Sequence, residues 1–159
     1  MAASIIDIER RLELAAQELM KTCAVLIALV TAARVFRKND TSHAVDYPCA
    51  TVMVIGAPQF GDRTGWYLCA LQLSAMTYRS DDQSKEILEQ VAGALRGFLQ
   101  QTDIHTQLNT TAIATATATA LDVREVLLDG PSFDASTDKI QETVVTASAL
   151  CRPTQAVTT

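Results

Sequence analysis

The sequence predicts an α+β domain: a mainly antiparallel sheet of about four to five strands with two helices packed on one face. Three observations predict it. Residues 5–19 and 84–100 carry apolar side chains at helical spacing, whereas 50–55, 66–78, 121–128 and 140–151 are apolar runs or alternations rich in Val, Leu and Thr. Gly, Pro, Asp and Ser cluster between these segments, where turns need their backbone freedom, fixed φ or side-chain hydrogen bonds.

At 159 residues the chain buries one substantial core and not two. Residues 1–153 therefore read as a single domain and 154–159 as a mobile C-terminal tail. Ser4 and Asp7 resemble a capping arrangement, and Ile5, Ile8, Leu12, Ala15, Ala16 and Leu19 make one stripe of the first helix. The charge-free run 23–33 is about half the length a bilayer span requires. It predicts a buried core segment that prolongs this helix to about Ala32. Residues 34–37 alternate and read as a short strand running into a loop that closes at Pro48.

Residues 50–55 are a continuous apolar run of the kind central strands show. In 66–78, Tyr67, Cys69, Leu71, Leu73 and Ala75 share one face, which predicts a strand lying on the core. The opposite face carries Trp66, Leu68, Ala70 and Met76. It is more apolar than a solvated face needs, and either a loop covers it or another subunit does. Ser80 and Gln83 sit at capping-box spacing before the second helix, with Ile87, Leu88, Val91, Leu95, Phe98 and Leu99 as its buried stripe. Gly93 and Gly97 lie on its far side, where each weakens the helix unless a neighbour approaches closely.

Residues 102–111 have no clear period, and 111–120 is a Thr-Ala alternation to which no structure is assigned. The last two strands, 121–128 and 140–151, flank a loop of about ten residues, a length at which ordered loops tend to be functional. Val145, Ala147, Ala149 and Cys151 form an inward face. Ile140 and Val144 fall on the other parity, which predicts a bulge or a second contact surface near Val144 and Val145.

A formal charge of −5 supplies no broad positive field for gripping phosphates. The four cysteines lack Cys-x-x-Cys spacing and read as free thiols in a reducing cytoplasm. Met1 leads into an amphipathic pattern without the basic and apolar regions of a signal peptide. His43 and His105 stand apart from any cysteine or carboxylate at ligand spacing, and nucleophile elbows, phosphate-binding glycine loops and zinc-protease helices are absent. Asp62, Arg63, Asp122, Arg124 and Glu125 read as solvated charges. Neither a cofactor nor a metal is called for, and the residues point away from an enzyme. Arg34, Arg37 and Lys38 form the one dense positive cluster, facing DNA or an acidic partner or else protecting a strand edge.

The run Asp46-Tyr47-Pro48-Cys49-Ala50-Thr51-Val52 leads into a strand, SDDQSKEILEQVAGALRGFL follows a long strand, and the chain closes with VREVLLDGPSFDASTDKIQETVVTASALCRP. In this order of elements, residues 5–153 resemble the tail-terminator (tail-completion) proteins of tailed bacteriophages. The long apolar first helix and the Thr-Ala tract are departures from that pattern. The resemblance implies a structural virion protein that assembles in the host cytoplasm as a ring, typically a hexamer, at the head-proximal end of the tail tube. There it would stop tube polymerisation and offer the head its attachment surface. The implied partners are its own copies, the tail tube protein and a head-to-tail connector or neck protein. DNA would pass through the lumen without sequence-specific binding, and no membrane is involved.

The alternatives are a neck or head-completion protein of the same virion, or a small cytoplasmic enzyme or ligand-binding module. Candidate interface residues are Trp66, Leu68 and Met76 on the second sheet face, Ser132, Phe133, Asp134 and Asp138 in the long loop, and Arg34, Arg37 and Lys38.

Overall fold

A computed structural model describes residues 5–38, 46–56, 65–78, 84–114 and 119–155. Among them the order is α1 (Ile5–Met20), α2 (Ala24–Val30), a 3-10 turn (Ala32–Arg34), β1 (Val35–Arg37), β2 (Cys49–Ile55), β3 (Tyr67–Tyr78), α3 (Ser84–Leu99), α4 (Ile104–Ala114), β4 (Thr119–Leu128), β5 (Phe133–Asp134) and β6 (Ile140–Gln155). The α+β class is as the sequence predicts, with more elements: four helices and a six-stranded sheet.

The sheet runs β1-β2-β3-β6-β4, with β5 also paired to β6. Only β1 and β2 are parallel. Its centre is the long pair β3–β6, in register from Tyr67 opposite Cys151 to Tyr78 opposite Ile140 without a break. The inner face of that pair is the predicted one: Cys69, Leu71, Leu73 and Ala75 meet Val145, Ala147, Ala149 and Cys151, all fully buried. Against this face α3 lays Val91, Leu95, Phe98 and Leu99, while α1 packs on β1, β2, β4 and α4 and adds Ile8, Leu12, Ala15, Ala16 and Met20 to the same core. Each large side chain so enclosed contributes about 1.5–3 kcal/mol relative to exposure.

The first helix does not continue to Ala32. It stops at Met20, where the Thr22 hydroxyl bonds the Leu19 carbonyl at 2.7 Å, a side-chain alternative to the helical ladder, and Cys23 takes an extended backbone. The apolar run restarts as α2, burying Leu26 and Val30 and packing on α3 while Val25 stays exposed. Thr31 closes it at φ 59°, a conformation that costs a β-branched residue of order 1–3 kcal/mol.

The unpatterned 102–111 stretch lies largely in α4, where Ile104 and Leu108, one turn apart, are buried. The hydroxyls of Thr110 and Thr111 return to the Thr106 and Gln107 carbonyls, so threonines unsuited to a helix are accommodated in this one. The Thr-Ala tract is thus helix to Ala114 and strand from Thr119. Thr154 and Gln155, expected in a mobile tail, are paired with Ala120 and Thr119 as the end of β6.

A β-bulge exists, but in β4 at Arg124 and not near Val144. Val144 is buried on the outer face instead, opposite Phe133 of β5. β5 therefore continues the β4 edge of the sheet after an interruption at 130–132. The predicted ten-residue loop reduces to that interruption and a turn at 135–139. Ala135 donates to the Glu142 carbonyl at 3.0 Å and Thr137 to the Ile140 carbonyl at 2.8 Å, which fixes the hairpin.

Both sheet edges carry a side chain where a further strand would pair. At the β2 edge, beyond the short β1, the Val54 N–H donates to Glu13 Oε2 at 3.0 Å. Its other oxygen, Oε1, accepts from Arg37 Nε at 2.5 Å, and the Glu13 side chain is only 8% exposed. At the β4 edge the Asn109 amide donates to the Val123 carbonyl at 2.8 Å, and its oxygen accepts the Val123 N–H. No helix among the described residues is long and apolar enough to cross a membrane.

Glu13→Ala leaves Arg37 and the buried Val54 N–H without their acceptor and is expected to lower unfolding free energy by about 3 kcal/mol. Urea titration checks this; an unshifted midpoint would contradict the role given to Glu13. Gly93 and Gly97 face open space, with nothing within 4 Å of an added Cβ. Gly97→Ala should therefore stabilise α3 by about 1 kcal/mol, read as a higher midpoint in the same titration.

Candidate functional site

The outer face of the sheet, turned away from the helices, is divided in two. At one end Phe36, Cys49, Thr51, Ser74, Glu142 and Val144 are buried. Lys38 lies over this end, its Nζ donating to both Glu142 oxygens at 2.9 and 3.0 Å. The Tyr47 ring approaches Tyr78 with centroids 6.1 Å apart, and β5 pairs beside Val144 at the sheet edge. At the other end Ile55, Leu68 and Leu127 are exposed. Leu68, Glu125, Leu127, Ser148 and Leu150 line a cleft of about 180 Å³. One half of this face is thus covered by the chain itself, and the other half is an exposed apolar surface. Leu68 lies in the open half, and the half-buried Met76, between Cys49 and Glu142, in the covered one.

Trp66 stands at the open end, just before β3. Arg152 lies 4.9 Å and Arg124 5.8 Å from its ring centroid, close enough for cation–π attraction. Arg152 Nε also donates to Asp122 at 3.0 Å. Arg124 has the indole alone among the described residues. It is the bulge residue of β4, and a bulge re-aims the side chain it carries. This group was not foreseen from sequence, although a signal exists: Leu121 and Val123 face inward, then Val126 and Leu128 do, so the parity changes at Arg124.

The cluster Arg34, Arg37 and Lys38 does not form a patch. Arg37 turns to the inner face and Glu13, Lys38 to the outer face and Glu142, and Arg34 Nη1 donates to the Tyr47 carbonyl at 3.0 Å. Each cation is engaged within the chain. In the hairpin, Ser132 is half-buried, while Phe133, Asp134 and Asp138 are exposed. Asp134 Oδ1 accepts from the backbone N–H of Ser136 at 2.8 Å and from its hydroxyl. The Ser136 Oγ in turn accepts the Glu142 N–H at 3.0 Å. Asp134 thus shapes the turn, and Phe133 and Asp138 are left outward.

A second, open groove of about 610 Å³ runs between residues 99–105 and the β4 edge at 124–128. His105, Arg124 and Glu125 line it, but among the described residues the imidazole has only the neighbouring Thr106 hydroxyl, at 3.3 Å, as a hydrogen-bonding partner. His43, Asp62 and Arg63 lie outside the described residues. No group of three His, Cys, Asp or Glu converges among the described residues to hold a metal.

The buried thiols are set against ionisation. Burial, reinforced by the Glu142 carboxylate and opposed by Arg34, pushes Cys49 up to about 12. Cys151 is raised by its hydrogen bond with Cys69, whose Sγ lies 3.4 Å away, and then by burial. Neither is a nucleophile at neutral pH, since the thiolate is the reactive form.

A thiol whose folded-state pKa is raised lends stability that is complete below its ordinary value near 9 and declines as pH climbs toward about 12. The urea midpoint should therefore fall between pH 9 and 11, and fall less in Cys49→Ala; equal slopes would contradict the placement of Cys49. In comparison with known proteins, no family model matches this chain and no curated protein matches it, so the reading of its surface rests on its own residues.

Proposed function

We propose that the chain is the subunit of a ring that caps a tubular assembly, a tail terminator of a tailed bacteriophage. The observation that carries the reading is the half-open outer face. Leu68 and Leu127 at its cleft stay exposed at 37% and 56%, and Phe133 on the hairpin stands out at 47% even at the other, covered end. Apolar side chains gathered in this way mark a contact surface more often than a solvated one.

The sequence resemblance supplies the kind of assembly, and two further features support it. Converging polar groups of the sort a catalytic pocket needs do not assemble among the described residues, since the charges near the grooves pair with each other or face water. The net charge of −5 suits a lumen that passes DNA without retaining it, provided carboxylates line the hole.

The reading is tested by mass. Purified protein of 17.2 kDa subunits, alone or with isolated tail tubes, should give a closed oligomer in light scattering and sedimentation, and tubes so treated should no longer elongate. A monomer at every concentration, with no ring on tubes, would overturn the proposal. Binding to portal-bearing heads in place of tubes would reassign the chain to the neck.

A further inference from the structure

We infer that neighbouring copies join head to tail by seating the β5–β6 hairpin of one copy, Phe133 foremost, in the open cleft of the next, with Asp138 and Lys139 meeting Arg124 and Glu125. The inference rests on the ring reading and adds the contact that closes it.

The two halves of the contact have matching chemistry. Phe133 projects on the outer side of the sheet with 47% of its surface in water, on a hairpin fixed by backbone and Ser136 hydrogen bonds. An anchor held in place before binding loses little further freedom on docking. The cleft between Leu68, Leu127 and Leu150 is apolar, and its roughly 180 Å³ amounts to several waters' worth of space, enough for one aromatic ring. Phe133 cannot reach the cleft of its own chain. It stands opposite Val144, whereas the cleft lies at Ser148 and Leu150, four to six residues farther along β6, about 13–20 Å away at strand rise.

The charges agree with the apolar fit. Asp138 and Lys139 are exposed at the hairpin turn, and neither makes an ion pair among the described residues. Glu125 lines the cleft and Arg124, next to it in the chain, lines the adjoining groove, in the opposite order of sign and also without ion pairs among the described residues. The Arg124 guanidinium, at the bulge, lies 5.8 Å from the Trp66 ring at the same end of the sheet. Exposed pairs of this kind add little affinity but set register between partners. A knob and a cleft at different places on one chain make a heterologous contact, which closes into a ring when the rotation between copies allows it.

Sedimentation velocity over a concentration series tests the contact, with circular dichroism to show that each variant is folded. Phe133→Ala and, on the receiving side, Leu127→Glu should each raise the concentration for half-assembly at least tenfold. Arg124→Asp or Asp138→Arg alone should raise it several-fold, and the two together in one chain should restore it to within twofold of the unmodified protein. Phe133→Ala keeps an intact cleft and Leu127→Glu an intact knob, so an equimolar mixture should give a species of twice the subunit mass.

A ring from the unmodified chain that all these variants also form unchanged would overturn the contact and leave the ring reading standing. A chain that never assembles, with or without tubes, would overturn both. Loss of single-stranded oligonucleotide binding in Arg124→Asp, with assembly untouched, would reassign the Trp66 corner to nucleic acid and overturn the contact.

Discussion

The architecture depends on one buried carboxylate. Glu13 sits in the middle of α1, where an apolar residue would continue the stripe, and both of its oxygens are used: one by Arg37 and one by the Val54 N–H. An ionised group is tolerated in such a place only when paired and hydrogen-bonded. It therefore fixes the helix against β1 and the end of β2 with a directionality that apolar contacts lack. Once Arg37 is committed to the inner face, the next residue must leave by the other side. Lys38 does so and meets Glu142, a second carboxylate only 7% exposed. Two adjacent cations thus pin the short edge strand from opposite faces, and the second of them helps decide which half of the outer face is closed.

That division gives the surface its character. At the covered end the chain supplies Lys38 and Tyr47 as cover for its own sheet, and the buried thiol there, Cys49, is held neutral. At the open end the same strands carry Leu68 and Leu127 into solvent beside an indole flanked by two guanidiniums. The covered end belongs to folding. The open end has features that folding alone does not require: a bulge that turns an arginine outward and a cleft that the chain does not fill.

Much of this was legible in sequence where the signal is local. The alternation in β3 and β6 identified the core face because period-two burial leaves a direct trace, and the stripe of α3 did the same at period 3.6. The unread parts depend on distant partners or weak periods. Glu13 and Arg37 are 24 positions apart, and Lys38 and Glu142 are 104 apart, so neither pair is visible along the chain, and the basic cluster looked free. Ile104 and Leu108 anchor α4 from among polar residues and threonines, a pattern too sparse to recognise. Thr22 ended the first helix without proline or glycine to announce it. The parity change at Arg124 is present in the string, whereas the parity of Ile140 and Val144 points to a bulge or a second contact surface in the other strand. Val144 sits on the outer face without a bulge, with Phe133 paired beside it along the β4 edge.

The paired edge devices, Glu13 at Val54 and Asn109 at Val123, have a consequence for any assembly of this protein. A bare strand edge accepts another strand through the backbone, a bond with no memory of sequence and no natural end, which is how fibrils grow. Here an acid oxygen and a carboxamide occupy those bonding positions on the two flanks of the sheet. Association is thereby directed to side chains, whose shapes permit a fixed number of neighbours.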